Sequence, residues 1–281
     1  FCNEDLNYAK TNKRERTALI DSYAIKRMLA YLEQCRIIRL KDINSKHLED
    51  FKISRSKTLK PSSVNRELDT IKALFRKAVE WKYIAENPAK PIKPLKISLR
   101  QPRFLSKQEA QNLIKASSGF LRTMIMISLY TGFRLSEVFN LQFQDIDFNK
   151  DTISVNPKHG FIPKNYEFRT IPLNKELREY LIQNIPKIKK GRDYLFKDKN
   201  DDISISALQT SVKQTFKKAN IKEASFHTLR HTFASWLVIG GINLYTVSQL
   251  LVHSDVKTTM IYAHLSKEHL KNSVDLLTFK N

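Results

Sequence analysis

Cysteine is nearly missing from this 281-residue sequence: only Cys2 and Cys35 occur, in no CxxC pair and far from most of the seven histidines. A disulfide scaffold or a Cys-based zinc site cannot be built from them, and such sparing use suits a reducing, cytoplasmic setting. Long apolar runs are also missing; none approaches the roughly 20 residues that cross a bilayer, so no membrane partner is expected. The start, FCNEDLNYAK, has neither Met nor a signal-like apolar stretch. The sequence is therefore expected to be a fragment with something upstream. It has no GxxxxGK[ST] loop for ATP and no carboxylate cluster for a metal, which argues against a metal or any other cofactor. Acidic residues are scarce: 28 Asp and Glu stand against 49 Lys and Arg, a formal charge of +21. Residues 1–102 carry +11 of it and residues 103–281 carry +10, so both parts of the chain call for a polyanion, with nucleic acid the natural partner.

Apolar spacing predicts helices over 17–35, 45–55 and 62–83. In the third, Val64, Leu68, Ile71, Phe75, Ala78 and Val79 form one face against a basic opposite side, and Pro61 with Ser62 and Ser63 makes a start. Four prolines between 88 and 102 then prevent a helix. The reading is a helical domain over 1–96, a linker over 97–102 and a second domain over 103–281. The second domain opens with a capping box, Ser106 and Glu109. A buried helix follows, ending near Gly132, and then a helix capped by Ser136. DTISVN and FRTIPL alternate apolar with polar residues and predict two short strands. From Lys175 the pattern is helical again, through HTLRHTFASWLVIGG, which Gly240 and Gly241 terminate.

Within HTLRH, His227 and Arg230 share a helix face. His231 follows His227 by four, a zinc-like spacing, but Thr228 stands where HExxH needs Glu, so His231 reads as a hydrogen-bonded structural histidine. Arg134 in TGFRLSE, taken alone, is a snorkelling surface residue. The order of signals changes that reading: TGFRLSE, a hairpin with lysines, HTLRH, VHSD, then TTMIYAHL.

This ordered set resembles the tyrosine recombinase (phage integrase, Xer-like) family over essentially the whole chain. The segment SSVNRELDTIKALFRKAVEWKYIAENPAK resembles its SAM-like DNA core-binding domain. The resemblance implies a mainly α fold with a small antiparallel β-sheet. A helical core-binding domain and an α+β catalytic domain would close as a C-shaped clamp on double-stranded DNA. It implies Tyr262 as the nucleophile, Arg134 and Arg230 as clamps on the phosphate, His227 handling the nucleophile's proton and His253 bonding the phosphate. Glu137 would support them. The hairpin offers Lys158 and Lys164; Lys164, five residues before Arg169, fits the family register better. Arg66, Lys72, Arg76 and Lys77 are the expected contacts to the DNA backbone. The resemblance further implies a homotetramer on synapsed sites, with an accessory protein or partner recombinase possible. The amphipathic tail, with Val274, Leu276, Leu277 and Phe279, would dock on the next subunit. Val252 departs from the family's Leu-Gly-His and would be strained if φ there is positive.

The chemistry wants these residue types. A phenol with a pKa of about 10 keeps its proton at neutral pH and needs an acceptor as its oxygen bonds to phosphorus. The departing 5′ oxygen needs a proton, which a lysine supplies. Two guanidiniums match the charged phosphoryl oxygens. Two alternatives share much of this pattern: strand relaxation resembling type IB topoisomerases, and a DNA-binding regulator that no longer cuts, although such proteins usually lose the tyrosine or an arginine.

Overall fold

The computed structural model describes residues 1–98, 101–158, 161–163, 168–185, 191–197, 204–252 and 255–266. The chain divides into two compact units, Phe1–Leu99 and Arg100–Asn281. The expected Lys164, His253 and the tail 267–281 lie outside the described residues.

The first unit is helical: α1 (Cys2–Asn12), α2 (Glu15–Gln34), α3 (Ser45–Ser56) and α4 (Pro61–Glu80). α4 begins with Pro61 in its first turn, where a missing N–H costs nothing. It stops at Glu80, earlier than its apolar spacing suggests, because Lys82 turns left-handed at φ 62°. Its stripe of Val64, Leu68, Ile71, Leu74, Phe75 and Ala78 is buried against Ile25, Met28, Leu32, Leu48 and Phe51. α1 escaped the sequence reading because its apolar pattern is weak. Aromatic edges hold it instead: Phe1 and Tyr8 pack edge-on against Trp81, at 6.0 and 5.8 Å between ring centroids.

The second unit runs α5 (Lys107–Ala116), α6 (Gly119–Thr131), α7 (Leu135–Phe139), β1 (Ile146–Asp147), β2 (Thr152–Val155), β3 (Arg169–Pro172), α8 (Lys175–Asn184), α9 (Ile205–Lys218), α10 (Phe226–Ile239) and α11 (Leu244–Leu251). A 3₁₀ turn, Met260–Ser266, carries Tyr262. The Ser106–Glu109 capping box opens α5 as expected. Ser136 does not cap α7; it lies inside the helix, and Arg134 takes the cap position, its main-chain N–H donating to Glu137 Oε2. The sheet is antiparallel in the order β1-β2-β3, with Ile153 opposite Ile171 and Val155 opposite Arg169. β1, two residues long, carries too little alternation to read from sequence.

α6 and α10 pack on each other at the centre of the unit and bury Met124, Ile125, Ile127 and Leu229. Leu105 ties the start of the unit to α10: its N–H donates to Thr232 Oγ1 at 2.9 Å and its carbonyl accepts from Trp236 Nε1 at 3.0 Å.

Candidate active site

The site is built around the turn that ends α6. Gly132 has φ 66° and ψ 17°, a left-handed conformation that glycine adopts freely. Space demands glycine as well: a Cβ here would sit 2.6 Å from Phe233 Cδ1 and 2.9 Å from Leu251 Cδ2. The reversal presents the Gly132 carbonyl to Arg230, whose Nη1 donates to it at 2.7 Å. Two residues on, Arg134 donates twice to Glu137, from its main-chain N–H to Oε2 at 2.8 Å and from Nη1 to Oε1 at 2.7 Å.

Glu137 is only 2% exposed and also accepts from Arg169 Nη2 at 2.5 Å. Burial alone would raise its pKa. Arg169, then Arg134 and its main-chain N–H, outweigh burial and hold the carboxyl below the usual range.

Arg230 is equally buried at 2%. Its second anchor is the carbonyl of Leu251, which accepts from Nη2 at 2.7 Å and from Arg169 Nη1 at 3.4 Å. Leu251 is the last residue of α11, where free carbonyls carry partial negative charge. The chain leaves it through Val252 at φ 49° and ψ 59°, so the valine in the glycine position does occupy the left-handed region, where a β-branched side chain is strained. Burial, then the like charges of Arg134 and Arg169, press the Arg230 pKa down to about 9, still charged at neutral pH.

Tyr262 lies within electrostatic reach of Arg230. Its ring packs among Ala234, Val238, Val247 and Leu251, and its hydroxyl meets Nδ1 of His231 at 2.6 Å. Burial pushes the phenol up to about 12, against the pull of Arg230. Burial, then His227 and Arg230, push His231 down to about 4. The His231 ring stands edge-on to His227, centroids 4.7 Å apart.

The structure thus brings Arg134, Glu137, Arg230 and Tyr262 together, with His227, exposed at the start of α10, joined through His231. Lys158 is engaged elsewhere: its ammonium lies 2.7 Å from buried Asp145, in a pair whose side chains are 5% and 1% exposed. In the first unit Arg66 and Arg76 are exposed and Lys72 is half-buried. Lys72 and Arg76, with Lys41 and Lys90, line a cavity of about 1100 Å³. Lys77 faces α1 instead, its ammonium 4.3 Å above the Tyr8 ring and 3.2 Å from Glu80.

Two residues of the site escaped the sequence reading as functional groups. Arg169 had a signal: in FRTIPL it falls in phase with Ile171 and Leu173, the inward positions, so a charge was due to be buried. His231 had none beyond its spacing from His227, because its partner lies 31 residues away.

Comparison with known proteins follows the same division of the chain. Residues 103–269 match the phage integrase family, and residues 1–96 match the phage integrase SAM-like domain. A tyrosine recombinase of Pseudothermotoga lettingae is 31% identical over 259 residues, 90% of this chain and 88% of that protein. The integrase of Escherichia phage 186 is 31% identical over 230 residues, 79% of this chain and 62% of that one. Among solved structures, the Tn1549 transposon integrase in complex with a circular intermediate DNA superposes with a TM-score of 0.78. It covers 98% of both chains at 22% identity.

Proposed function

Because the chain belongs to the phage integrase family, we propose that its arginine cluster and Tyr262 carry out the strand transfer of a tyrosine-type site-specific DNA recombinase. The observation that carries this reading is an imbalance of charge. Arg134, Arg169 and Arg230 face one buried carboxylate, Glu137, and Arg230 is held by main-chain carbonyls rather than a second acid. Like charges buried this closely repel, and a phosphodiester between Arg134 and Arg230 relieves them. Two of the five guanidinium N–H groups of Arg230 are spent on Gly132 and Leu251, which locks the side chain and leaves the others for phosphate oxygens.

In the proposed reaction the Tyr262 oxygen bonds to phosphorus as the bond to the 5′ oxygen breaks, leaving a 3′-phosphotyrosyl link. Its proton passes to the histidine side of the site, through His227, while the 5′ oxygen takes a proton from Lys164. His253 bonds the phosphate. Rejoining runs the same steps backwards, with the 5′ hydroxyl of the exchanged strand as attacker. Nothing in this sequence of steps draws on ATP or a metal. Arg66, Lys72 and Arg76 are proposed contacts to the DNA backbone in the first unit; Lys77, seated over Tyr8, contributes through packing.

Recombination pairs two sites, and a homotetramer, alone or with an accessory or partner recombinase, is the proposed working form. Support for a protein partner comes from α11 and the 3₁₀ turn, which pack on each other yet leave Tyr245 64% and Met260 54% exposed. Among the described residues no helix is long and apolar enough to cross a membrane.

The test uses a pool of nicked duplexes of randomised sequence, in which cleavage beside the nick releases a short fragment and traps the link. SDS-resistant adducts are recovered and their DNA sequenced. Wild-type protein is expected to select a defined sequence, and Tyr262→Phe to give no adduct while binding the recovered duplex. An adduct that survives in the Phe variant, or a wild-type protein that forms none, refutes the proposal.

A further inference from the structure

We infer that His231 is a positioning residue for the nucleophile: its Nδ1 receives the hydrogen bond of the Tyr262 hydroxyl and aims the phenolic oxygen at the phosphate held by Arg230. The inference rests on the reading of Tyr262 given above and adds to it a residue for which neither the sequence motif nor the roles assigned so far leave a place.

Three observations carry it. The first is the 2.6 Å contact between Nδ1 and the hydroxyl, made across 31 residues where the 3₁₀ turn packs on α10. The second is the seat of the ring. His227, His231, Ala234 and Val238 recur at helical spacing and form one stripe of α10, next to the face that bears Arg230. The Tyr262 ring packs on Ala234 and Val238, with its hydroxyl end at His231. The stripe therefore fixes the ring along its length and the histidine fixes its tip. The third is chemical. A neutral imidazole in its Nε2–H tautomer leaves Nδ1 free to accept from the phenol. Burial beside His227 and Arg230 keeps His231 uncharged, its pKa near 4. So weak a base holds the O–H without taking its proton before the bond to phosphorus forms.

A phenol free to rotate about its own bonds sweeps its oxygen through positions that cannot reach phosphorus in line. Placing it is an entropic gain, and misplacement of about 1 Å in such sites costs about 10²-fold in rate. Loss of the His231 acceptor is expected to have an effect of that size.

The experiment measures single-turnover cleavage by the full chain on a nicked duplex recovered with the wild-type protein. His231→Ala is expected to cleave about 10²-fold more slowly with unchanged DNA affinity. His231→Asn, whose Oδ1 occupies the place of Nδ1, is expected to retain most of the rate. His231→Gln, whose amide lies one bond further out, is expected to fall with the alanine variant. A duplex with sulfur in place of the bridging 5′ oxygen, whose leaving group needs no proton, is expected to leave the alanine defect intact.

Several outcomes overturn the inference. An alanine variant at the wild-type rate makes the contact incidental. A faster one makes it a restraint rather than an aid, and rescue by the 5′-sulfur substrate moves the role to the leaving group. Equal rates for the Asn and Gln variants reduce it to packing, and that pair decides the matter even where the alanine variant fails to fold. If the wild-type chain itself forms no adduct, the assignment of Tyr262 falls first, a failure visible without any His231 variant.

Discussion

Each unit of this chain buries one glutamate between two arginines, and the two clusters end differently. In the first unit Glu67 accepts from Arg27 at 2.9 Å and from Arg55 at 2.8 and 3.0 Å, joining α2, α3 and α4. Its arginines reach solvent, the Arg27 side chain being 49% and the Arg55 side chain 23% exposed, and among the described residues these two are its ion-pair partners. That cluster is a clasp between helices. In the second unit Glu137 binds Arg134 and Arg169 in much the same way, but Arg230 lies beside them with carbonyls as its partners. Carbonyl dipoles orient a guanidinium without neutralising it. The first arrangement is complete by itself, while on the function proposed above the second is completed by an anion. On that reading the same residue types make a joint in one place and a receptor in the other, and the partners of the third arginine decide which.

The comparison can be broken in three places, beginning with the largest effect. Arg230→Ala removes the uncompensated charge and should slow adduct formation by about 10²–10³-fold. Arg27→Ala in the clasp should leave the cleavage rate of bound DNA close to wild type. Equal losses from the two would erase the distinction. Next comes stability. Glu137→Gln leaves buried Arg169 and Arg230 and half-buried Arg134 without that counter-charge and should cost about 3–5 kcal/mol in urea unfolding of the second unit. Glu67→Gln, beside arginines that reach water, should cost the first unit about 1.5–3 kcal/mol. A reversed order would show that the Glu137 cluster is no more strained than the clasp. The smallest effect concerns Val252, whose left-handed backbone holds the Leu251 carbonyl toward Arg230 and Arg169. Val252→Gly should stabilise the second unit by about 1 kcal/mol without lowering cleavage. A loss of stability would mean that packing of the valine side chain outweighs the strain.

Local patterns were legible because they depend on neighbours along the chain. The stripe of α4, the capping box at Ser106 and the end of α6 at Gly132 each follow from spacing or from one residue's conformational freedom. The ordered motifs around Arg134, Arg230 and Tyr262 also stood in plain view. Ser136 was misread as a cap because it is the usual residue type for one. The chain instead uses Glu137 to reach back to the Arg134 N–H, since that carboxylate already has to sit there for the arginines. α1 stayed hidden because aromatic contacts of Phe1 and Tyr8 with Trp81, 80 and 73 residues away, hold it rather than a strong apolar stripe of its own.

From the order of amino acids alone came most of the helices, two of the strands, the basic character of both units and the candidates for the reacting groups, all properties carried by a residue and its immediate sequence. Packing alone determined that Arg169 would share Glu137, that Lys158 would be tied to Asp145 and that the tyrosine's hydroxyl would meet His231. The reason is range. Periodicity says which side of a helix or strand faces inward, but a hydrogen bond also needs the distance and angle between two elements. Those are set only when α10, the 3₁₀ turn and the sheet have closed on one another.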